Sequence, residues 1–251
     1  MEKRISISME TSSRTGSVGL GIGGELVRSL PLGPSGRCAA ELVGRLDELL
    51  SPEALRPTDV TDVYVSVGPG SFTGLRVGIT VARTLGQMIP SLRLVAVPTP
   101  LAIAENVSQM DWKHLGVLLT AKKKIVHATL LKRGAGGRGG KGDGGSIVES
   151  RSGLASVEEL FPETPGDCGA SGWPRPLVLT GEALGFFRDA EWPEDVRVVD
   201  ESLWLPTAEG VWRAGRRLAE EGKGITAWRN LLPVYARRPE AVRLWEARHS
   251  P

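Results

Sequence analysis

The residues best suited to bind a phosphate group are concentrated in two turns. Glu10 and the hydroxyl-rich run Thr11, Ser12 and Ser13 follow the first predicted strand. The second turn, Gly68-Pro69-Gly70-Ser71, precedes a predicted helix, whose free N–H groups and positive dipole end could hold a phosphate. Because every helix start has such N–H groups, we favour a purely structural role for this second turn.

The histidines and cysteines do not have the spacing of a metal site. His114, His127 and His249 include no pair with the spacing of a helical zinc site. Cys38 and Cys168 are too few for a four-thiolate zinc site or a disulfide framework. The sequence also contains neither a G-x-S-x-G nucleophile elbow nor a Walker A motif. We therefore predict no metal site and no bound cofactor.

A basic stretch occupies the middle of the chain, where no carboxylate occurs between Asp111 and Asp143. Its candidate contacts to RNA phosphates are Lys122, Lys123, Lys124 and Arg138. The three lysines lie at a predicted turn between two strands, and Arg138 lies in the glycine-rich loop 134–145. A solvated hairpin tip beside a flexible loop is the alternative, and such charge runs are more often that.

Hydrophobic periodicity predicts an α/β chain in which one order of elements occurs twice. The first half has the order β-β-β-α-β-α-β, with strands at 5–9, 17–22, 25–30, 63–67 and 93–97 and helices at 37–50 and 72–88. The second half repeats it less clearly, with strands at 116–120, 125–131, 146–150, 177–180 and 196–199 and a helix at 206–221. This order matches the two-lobe actin-like ATPase, or ribonuclease-H-like, architecture.

Length and composition fit two lobes of a protein with a well-formed core. The 251 residues are 41% apolar and 24% charged, and they contain no apolar run long enough to cross a membrane. We expect lobe one at residues 1–100 and a smaller, degenerate lobe two at 101–251, with a C-terminal tail that packs back on lobe one. The N-terminus lacks the apolar segment of a signal peptide, so we expect a cytoplasmic protein.

The helix at 72–88 carries small residues at every fourth position: Gly74, Gly78, Ala82 and Gly86. Glycine weakens a helix by about 1 kcal/mol per site relative to alanine, so these glycines indicate close approach of another backbone. Tight packing inside the lobe and an interface with a partner both remain open. The helix at 37–50 has an apolar stripe that includes Leu42, Leu46 and Leu49.

Three motifs resemble the bacterial TsaB (YeaZ) family. They are M-E-T-S at 9–12, G-P-G-S-F-T-G-L-R-V-G at 68–78 and P-V-Y-A-R-R-P-E-A at 233–241. The second motif is the most specific because eleven residues match it without a gap. The resemblance covers lobe one closely and lobe two loosely.

The resemblance implies a non-catalytic subunit with an actin-like fold, which works with a TsaD-type catalytic subunit and a TsaE-type ATPase. Together these proteins form N6-threonylcarbamoyladenosine next to the anticodon of tRNA. The resemblance also implies a homodimer of the isolated protein and no catalytic residues. It places the homodimer and partner surfaces on the two lobe-one helices. We assign Leu42, Leu46, Leu49, Gly74, Leu75, Gly78, Ala82 and Gly86 to these surfaces.

The chain departs from the family pattern at several positions. Cys38-Ala39 stands where the family often has His-Ser. The lobe-two motif D-A-R-x-x-E-V-Y is replaced by the run 120–127, T-A-K-K-K-I-V-H, which lacks the acidic residues and the tyrosine. Any role of those family residues is therefore not carried over to this chain.

Two other activities of this fold are alternatives. An ATP-dependent kinase would use Glu10 and the turn Thr11–Ser13, but the lobe-two segment 179–183 has one glycine where a nucleotide loop has two or three. A glycoprotease would need a metal or nucleophile site, and the three histidines provide none.

Overall fold

The computed structural model describes residues 4–34, 38–122, 125–134, 147–161, 172–237 and 245. They form two sheets, of six and five strands. The first sheet has the order β11-β5-β4-β1-β2-β3, with strands β1 (Ile5–Glu10), β2 (Thr15–Ile22), β3 (Glu25–Pro34), β4 (Asp62–Gly68), β5 (Arg93–Pro98) and β11 (Ile225–Thr226). The first three strands are an antiparallel meander, and β4 runs parallel to both β1 and β5.

Strand alternation separates the two faces of the first sheet. Ile7 and Met9 on β1 point into a core that they share with α1 (Cys38–Leu50) and α2 (Phe72–Met88). The intervening residues Ser6, Ser8 and Glu10 therefore point to the opposite face. That face is covered by α5 (Ala208–Glu220), where the indole N–H of Trp212 donates to Ser6 Oγ at 3.0 Å.

The second sheet repeats the strand order of the first. Its order is β10-β9-β6-β7-β8, with strands β6 (His114–Lys122), β7 (Ile125–Arg133), β8 (Ile147–Ser156), β9 (Leu177–Thr180) and β10 (Val196–Val198). Again an antiparallel meander is followed by two parallel strands. Among the described residues, the helices between its last three strands are the four-residue α4 (Val157–Leu160) and a 3-10 helix at 182–186. The duplicated order confirms the predicted two-lobe actin-like fold with a degenerate second lobe.

The sheet topology differs from the predicted boundary at residue 100 in one respect. Helix α5 lies against β1, β2, β4 and β5, and β11 pairs with β5, so both belong to lobe one although they follow lobe two in sequence. The contact with the first sheet is close, because an ideal Cβ at Gly215 of α5 would lie 2.5 Å from the Tyr64 ring. Lobe one is therefore built from both ends of the chain.

The lobes are joined by α3 (Thr99–Asn106), which the sequence did not predict. Every residue from Thr99 to Glu105 is buried, so this helix has no polar face and no periodic apolar stripe. Glu105 forms an ion pair with Arg217 of α5, and the amide of Asn106 donates to the carbonyl oxygens of Leu203 and Leu205. The connector is thus fixed to both lobes.

The remaining elements follow the sequence predictions closely. The predicted strands and the helices at 37–50, 72–88 and 206–221 occur with shifts of a few residues at their ends, and β8 extends further than predicted. The part of the chain that the structure describes contains no helix with the length and apolarity needed for a membrane crossing.

Candidate functional site

Glu10 and the turn that follows it form a buried hydrogen-bond network at the end of β1. The backbone N–H and the hydroxyl of Ser12 donate to Glu10 Oε1 at 2.5 and 2.6 Å. The hydroxyl of Thr99, at the start of α3, donates to Ser12 Oγ at 3.0 Å. The backbone N–H of Thr11 donates to Ser66 Oγ on β4 at 3.3 Å. This network connects the first turn to a neighbouring strand and to the inter-lobe helix.

The Glu10 carboxyl group is fully buried, at 0% exposure. Burial raises the pKa of Glu10, because the charged form loses its hydration, while the hydrogen bonds from Ser12 oppose the shift. Glu10 Oε2 has no hydrogen-bond partner in the structure, and neither has the hydroxyl of Thr11. Burial thus disfavours the charged form of Glu10 relative to that of an exposed carboxylate.

The glycines of α2 and of the turn before it pack directly on the turn after β1. A Cβ atom placed at Gly74 would lie 1.9 Å from the Thr11 carbonyl oxygen, and one placed at Gly78 would lie 2.4 Å from Thr11 Oγ1. At Gly70 it would lie 2.3 Å from the Ser12 carbonyl oxygen, which also accepts a hydrogen bond from the Ser71 N–H at 2.6 Å. The two candidate phosphate turns therefore close against each other.

The residues predicted for a partner surface lie on the inward sides of α1 and α2. The assigned positions on α1 and α2 face the core of lobe one, and none of them is exposed: Leu42, Leu46, Leu49, Gly74, Leu75, Gly78, Ala82 and Gly86. The stripe of small residues is explained by packing within the lobe, the first of the two explanations. The periodicity of the sequence predicted both helices correctly, but the residues that it singles out lie on their inward faces.

The outward faces of α1 and α2 carry large apolar side chains that the periodicity did not single out. Val43 on α1 is 63% exposed, and Phe72 and Met88 on α2 are 45% and 74% exposed. Both helices lie on the same face of the sheet and contact each other. Of these, Val43 and Met88 are the candidate residues for docking of a partner.

The C-terminal motif packs on the G-P-G-S motif. The N–H of Val234 donates to the Val67 carbonyl oxygen at 2.7 Å, and an ideal Cβ at Gly68 would lie 2.2 Å from the Val234 carbonyl oxygen. Gly68 has a φ of +110°, which also requires glycine. The Tyr235 ring lies 5.0 Å from the Phe72 ring, measured between centroids. The two most recognisable motifs of the sequence therefore pack against each other in the fold.

The lobe-two segment that could have been a nucleotide loop is also closed. Gly181 has a φ of +110°, and an ideal Cβ there would lie 2.3 Å from the Leu118 carbonyl oxygen. The Thr180 hydroxyl donates to the Leu203 carbonyl oxygen at 3.1 Å. Glycine at this position allows the end of β9 to pack closely on β6, so the segment does not form an open loop.

The predicted RNA contacts lie mostly outside the described residues. Lys123, Lys124, Arg138 and all but the first residue of the loop 134–145 are not described, and Lys122 is exposed at the end of β6. Burial lowers the pKa of both His114 and His127. The described residues contain no group of three His, Cys, Asp or Glu side chains that could hold a metal ion.

Ser66 and Thr99 are the site residues that the sequence predictions missed. Both lie where the parallel strands β4 and β5 end, beside the end of β1. Because the carboxyl ends of parallel strands meet at one edge of a sheet, the strand order could have indicated them.

Comparison with known proteins finds sequence similarity over part of the chain. Residues 36–133 match the family model of TsaD, the tRNA N6-adenosine threonylcarbamoyltransferase. The chain is 35% identical to the tRNA threonylcarbamoyladenosine biosynthesis protein TsaB of Bacillus subtilis over 63 residues, 25% of this chain and 27% of that protein. It is 43% identical to an uncharacterised protein of Mycoplasma pneumoniae over 54 residues, 22% of this chain and 28% of that protein. The matches thus span about a quarter of these curated relatives.

Two solved structures from Pseudomonas aeruginosa share the whole fold. YeaZ has a TM-score of 0.71 and 20% identity, with 92% of this chain and 99% of that chain covered. A protein described as similar to peptidase YEAZ has a TM-score of 0.74 and 18% identity, with 93% and 100% covered. Together with the family model and the Bacillus relative, they confirm the resemblance to the TsaB (YeaZ) family.

The contact between α2 and the turn predicts opposite effects of two Gly→Ala substitutions. Gly74→Ala should destabilise the protein by roughly 1–3 kcal/mol or more, because the new methyl group overlaps the Thr11 carbonyl. Gly44→Ala on α1 is the matched control, since nothing lies within 4 Å of its Cβ position. It should stabilise by up to about 1 kcal/mol. Urea unfolding measures both, and equal stability of Gly74→Ala and wild type would contradict the contact.

Burial of Glu10 predicts a pH-dependent stability. The unfolded carboxyl ionises near its ordinary pKa of 4.5, whereas the raised pKa keeps the folded one protonated at higher pH. Unfolding is therefore favoured as the pH rises from 4.5 to the folded pKa. Glu10→Gln keeps an oxygen for the two Ser12 hydrogen bonds, so it should match wild type below pH 4.5 and be more stable at neutral pH.

Thermal melts across this pH range test the effect of Glu10. Asp47→Asn on the exposed side of α1 is the control for a general change in charge. A Glu10→Gln variant that is less stable than wild type at neutral pH would show that a charged Glu10 supports the fold.

Proposed function

We propose that this chain is a non-catalytic partner subunit that binds and stabilises a TsaD-type catalytic subunit. The reaction would be the formation of N6-threonylcarbamoyladenosine next to the anticodon of tRNA. The proposal follows from the resemblance to the TsaB family and from the similarity to TsaD, a tRNA N6-adenosine threonylcarbamoyltransferase, and to the Bacillus TsaB protein of threonylcarbamoyladenosine biosynthesis. The same resemblance includes a TsaE-type ATPase as a further partner and a homodimer as the state of the isolated protein.

The observation that carries the non-catalytic role is the closed turn after β1. A nucleotide-dependent relative would need this turn open to a phosphate and a charged carboxylate beside it. Here Thr11, Ser12 and Ser13 are buried, and the glycine face of α2 occupies the adjacent space. Burial also favours the neutral form of Glu10. These features argue against the kinase alternative, which depends on the same residues.

The docking surface that we propose for the catalytic subunit is the outward face of α1 and α2. Val43 and Met88 are largely exposed although both are apolar, and exposed apolar groups on neighbouring helices are typical of interaction sites. The inward residues of the same helices form the core of lobe one. The surface is therefore presented by helices that are already rigidly packed, so little ordering is needed on binding.

This proposal predicts that a charge on the outward face separates the two subunits. Val43→Asp should weaken association with the TsaD-type subunit of the same organism by about tenfold or more, or about 1.4 kcal/mol, because a carboxylate would be buried at the interface. The protein should still fold, since the Val43 side chain is mostly in solvent. Calorimetric titration of the two purified proteins measures the affinity.

Val148→Asp on β8 of lobe two is the matched control, because Val148 is 52% exposed on the other sheet. It should bind the catalytic subunit like wild type. Unchanged affinity of Val43→Asp would exclude this face of α1 from the interface. Product formation by the isolated chain, supplied with ATP and threonine, would contradict the non-catalytic role.

A further inference from the structure

One flank of lobe one carries arginines and aromatic rings, and among the described residues these arginines form no ion pair. We call this surface the basic strip, and it consists of Phe72, Arg76 and Arg83 of α2 and Trp228, Arg229 and Tyr235 of the segment 228–235. No acidic residue occurs between Asp62 and Glu105 or between Glu221 and Glu240. The two stretches of sequence that form the strip therefore contribute only positive charge.

The arginines of the basic strip are held by aromatic rings rather than by carboxylates. The Arg76 guanidinium lies 3.8 Å from the centroid of the Phe72 ring, and its Nε donates to the Tyr235 hydroxyl at 3.2 Å. Arg83 and Arg229 lie 5.9 and 4.4 Å from the Trp228 ring. These contacts orient the guanidinium groups but leave their charge uncompensated.

Arginines elsewhere on the surface differ in this respect. Arg45, Arg56 and Arg213 each lie within 3.1 Å of a carboxylate on their own helix or turn. Among the described residues, Arg76, Arg83 and Arg229 form no such ion pair, and Arg76 and Arg229 are exposed. An uncompensated positive surface attracts a polyanion over a distance of about 8–10 Å at ordinary salt.

The spacing along α2 fits a repeating anion. Arg76 and Arg83 are seven residues apart, so they lie on the same side of the helix at an axial separation of about 10 Å. This distance corresponds to about three steps of a nucleic-acid strand at 3.4 Å each. The segment 228–235 runs beside them and adds Arg229 and the Trp228 ring to the same strip.

We propose that the basic strip binds the phosphate backbone of RNA. This inference rests on the proposed function, which supplies a tRNA as the polyanion, and it places the contact on lobe one rather than at Lys122–Lys124. Phosphates would accept from the outward N–H groups of the arginines, and the partly exposed rings of Phe72 and Trp228 offer surfaces for stacked bases. The Arg76–Arg83 separation and these rings favour RNA over an acidic protein. Such contacts fix position without reading sequence.

The test measures the binding of the full chain to a labelled, unmodified tRNA transcript at several salt concentrations. The double variant Arg83→Gln/Arg229→Gln removes two charges from the basic strip. The control Arg56→Gln/Arg213→Gln removes the same number from positions that are paired with Asp59 and Glu209. Thermal melts establish that both variants fold.

We expect the strip variant to reduce the slope of log affinity against log salt by roughly 1.4–1.8, at about 0.7–0.9 per lost phosphate contact. The control should keep the slope of wild type. Equal slopes for the two variants, or no tRNA binding by wild type, would overturn the inference. A strip variant that loses the TsaD-type subunit but keeps the tRNA slope would assign the strip to an acidic protein and also overturn it.

The proposed function fails independently of this inference. Affinity for the catalytic subunit is measured without RNA on Val43→Asp, which lies on α1 outside the basic strip. A reduced salt slope of tRNA affinity in the strip variant, together with normal association with the catalytic subunit, would support both the RNA contact and the proposed function. If the strip variant shows the expected reduction in salt slope but the chain does not associate with the catalytic subunit, the result supports the RNA contact alone.

Discussion

The fold of lobe one depends on the direct contact of α2 with the turn after β1. Because Gly74 and Gly78 have no side chains, the helix approaches the Thr11 backbone more closely than any alanine would permit. This approach covers the turn and brings the Ser71 N–H within 2.6 Å of the Ser12 carbonyl oxygen. The opposite end of the same helix is held by Gly86 against Leu94 and Trp228. One close-packed helix thus closes the turn and presents both the docking surface and the basic strip.

The same contact explains why a sequence with residues suited to phosphate binding has a closed site. A hydroxyl-rich turn and a glycine-rich helix start each resemble half of a phosphate site when they are considered separately. In the fold they satisfy each other, since Ser12 accepts from Ser71 and donates to Glu10. Glu10 Oε2 and the Thr11 hydroxyl are buried polar atoms of this site that have no hydrogen-bond partner in the structure.

Most of the fold could be predicted from the sequence because its signals are local. Strand alternation, the Ser71 cap and the apolar stripe of α1 each depend on neighbours within a turn or a strand. Helix α3 was missed because burial on all sides removes the periodic pattern. The site was harder to predict from the sequence, since a stripe of small residues has the same spacing whether it faces a core or a partner. Only the position of Thr11 against Gly74 decides between them.

The assembly of lobe one from both ends of the chain has a consequence for its synthesis. Ser6 on the first strand is satisfied by Trp212, which lies 206 residues later. The face of β1 that carries Ser6, Ser8 and Glu10 stays uncovered until α5 has left the ribosome, after the whole of lobe two. Such distant contacts slow folding, because a long loop must close before they form. The nascent chain therefore exposes one face of the first sheet while lobe two is translated, and the order of synthesis makes lobe two the first lobe whose described strands are all present.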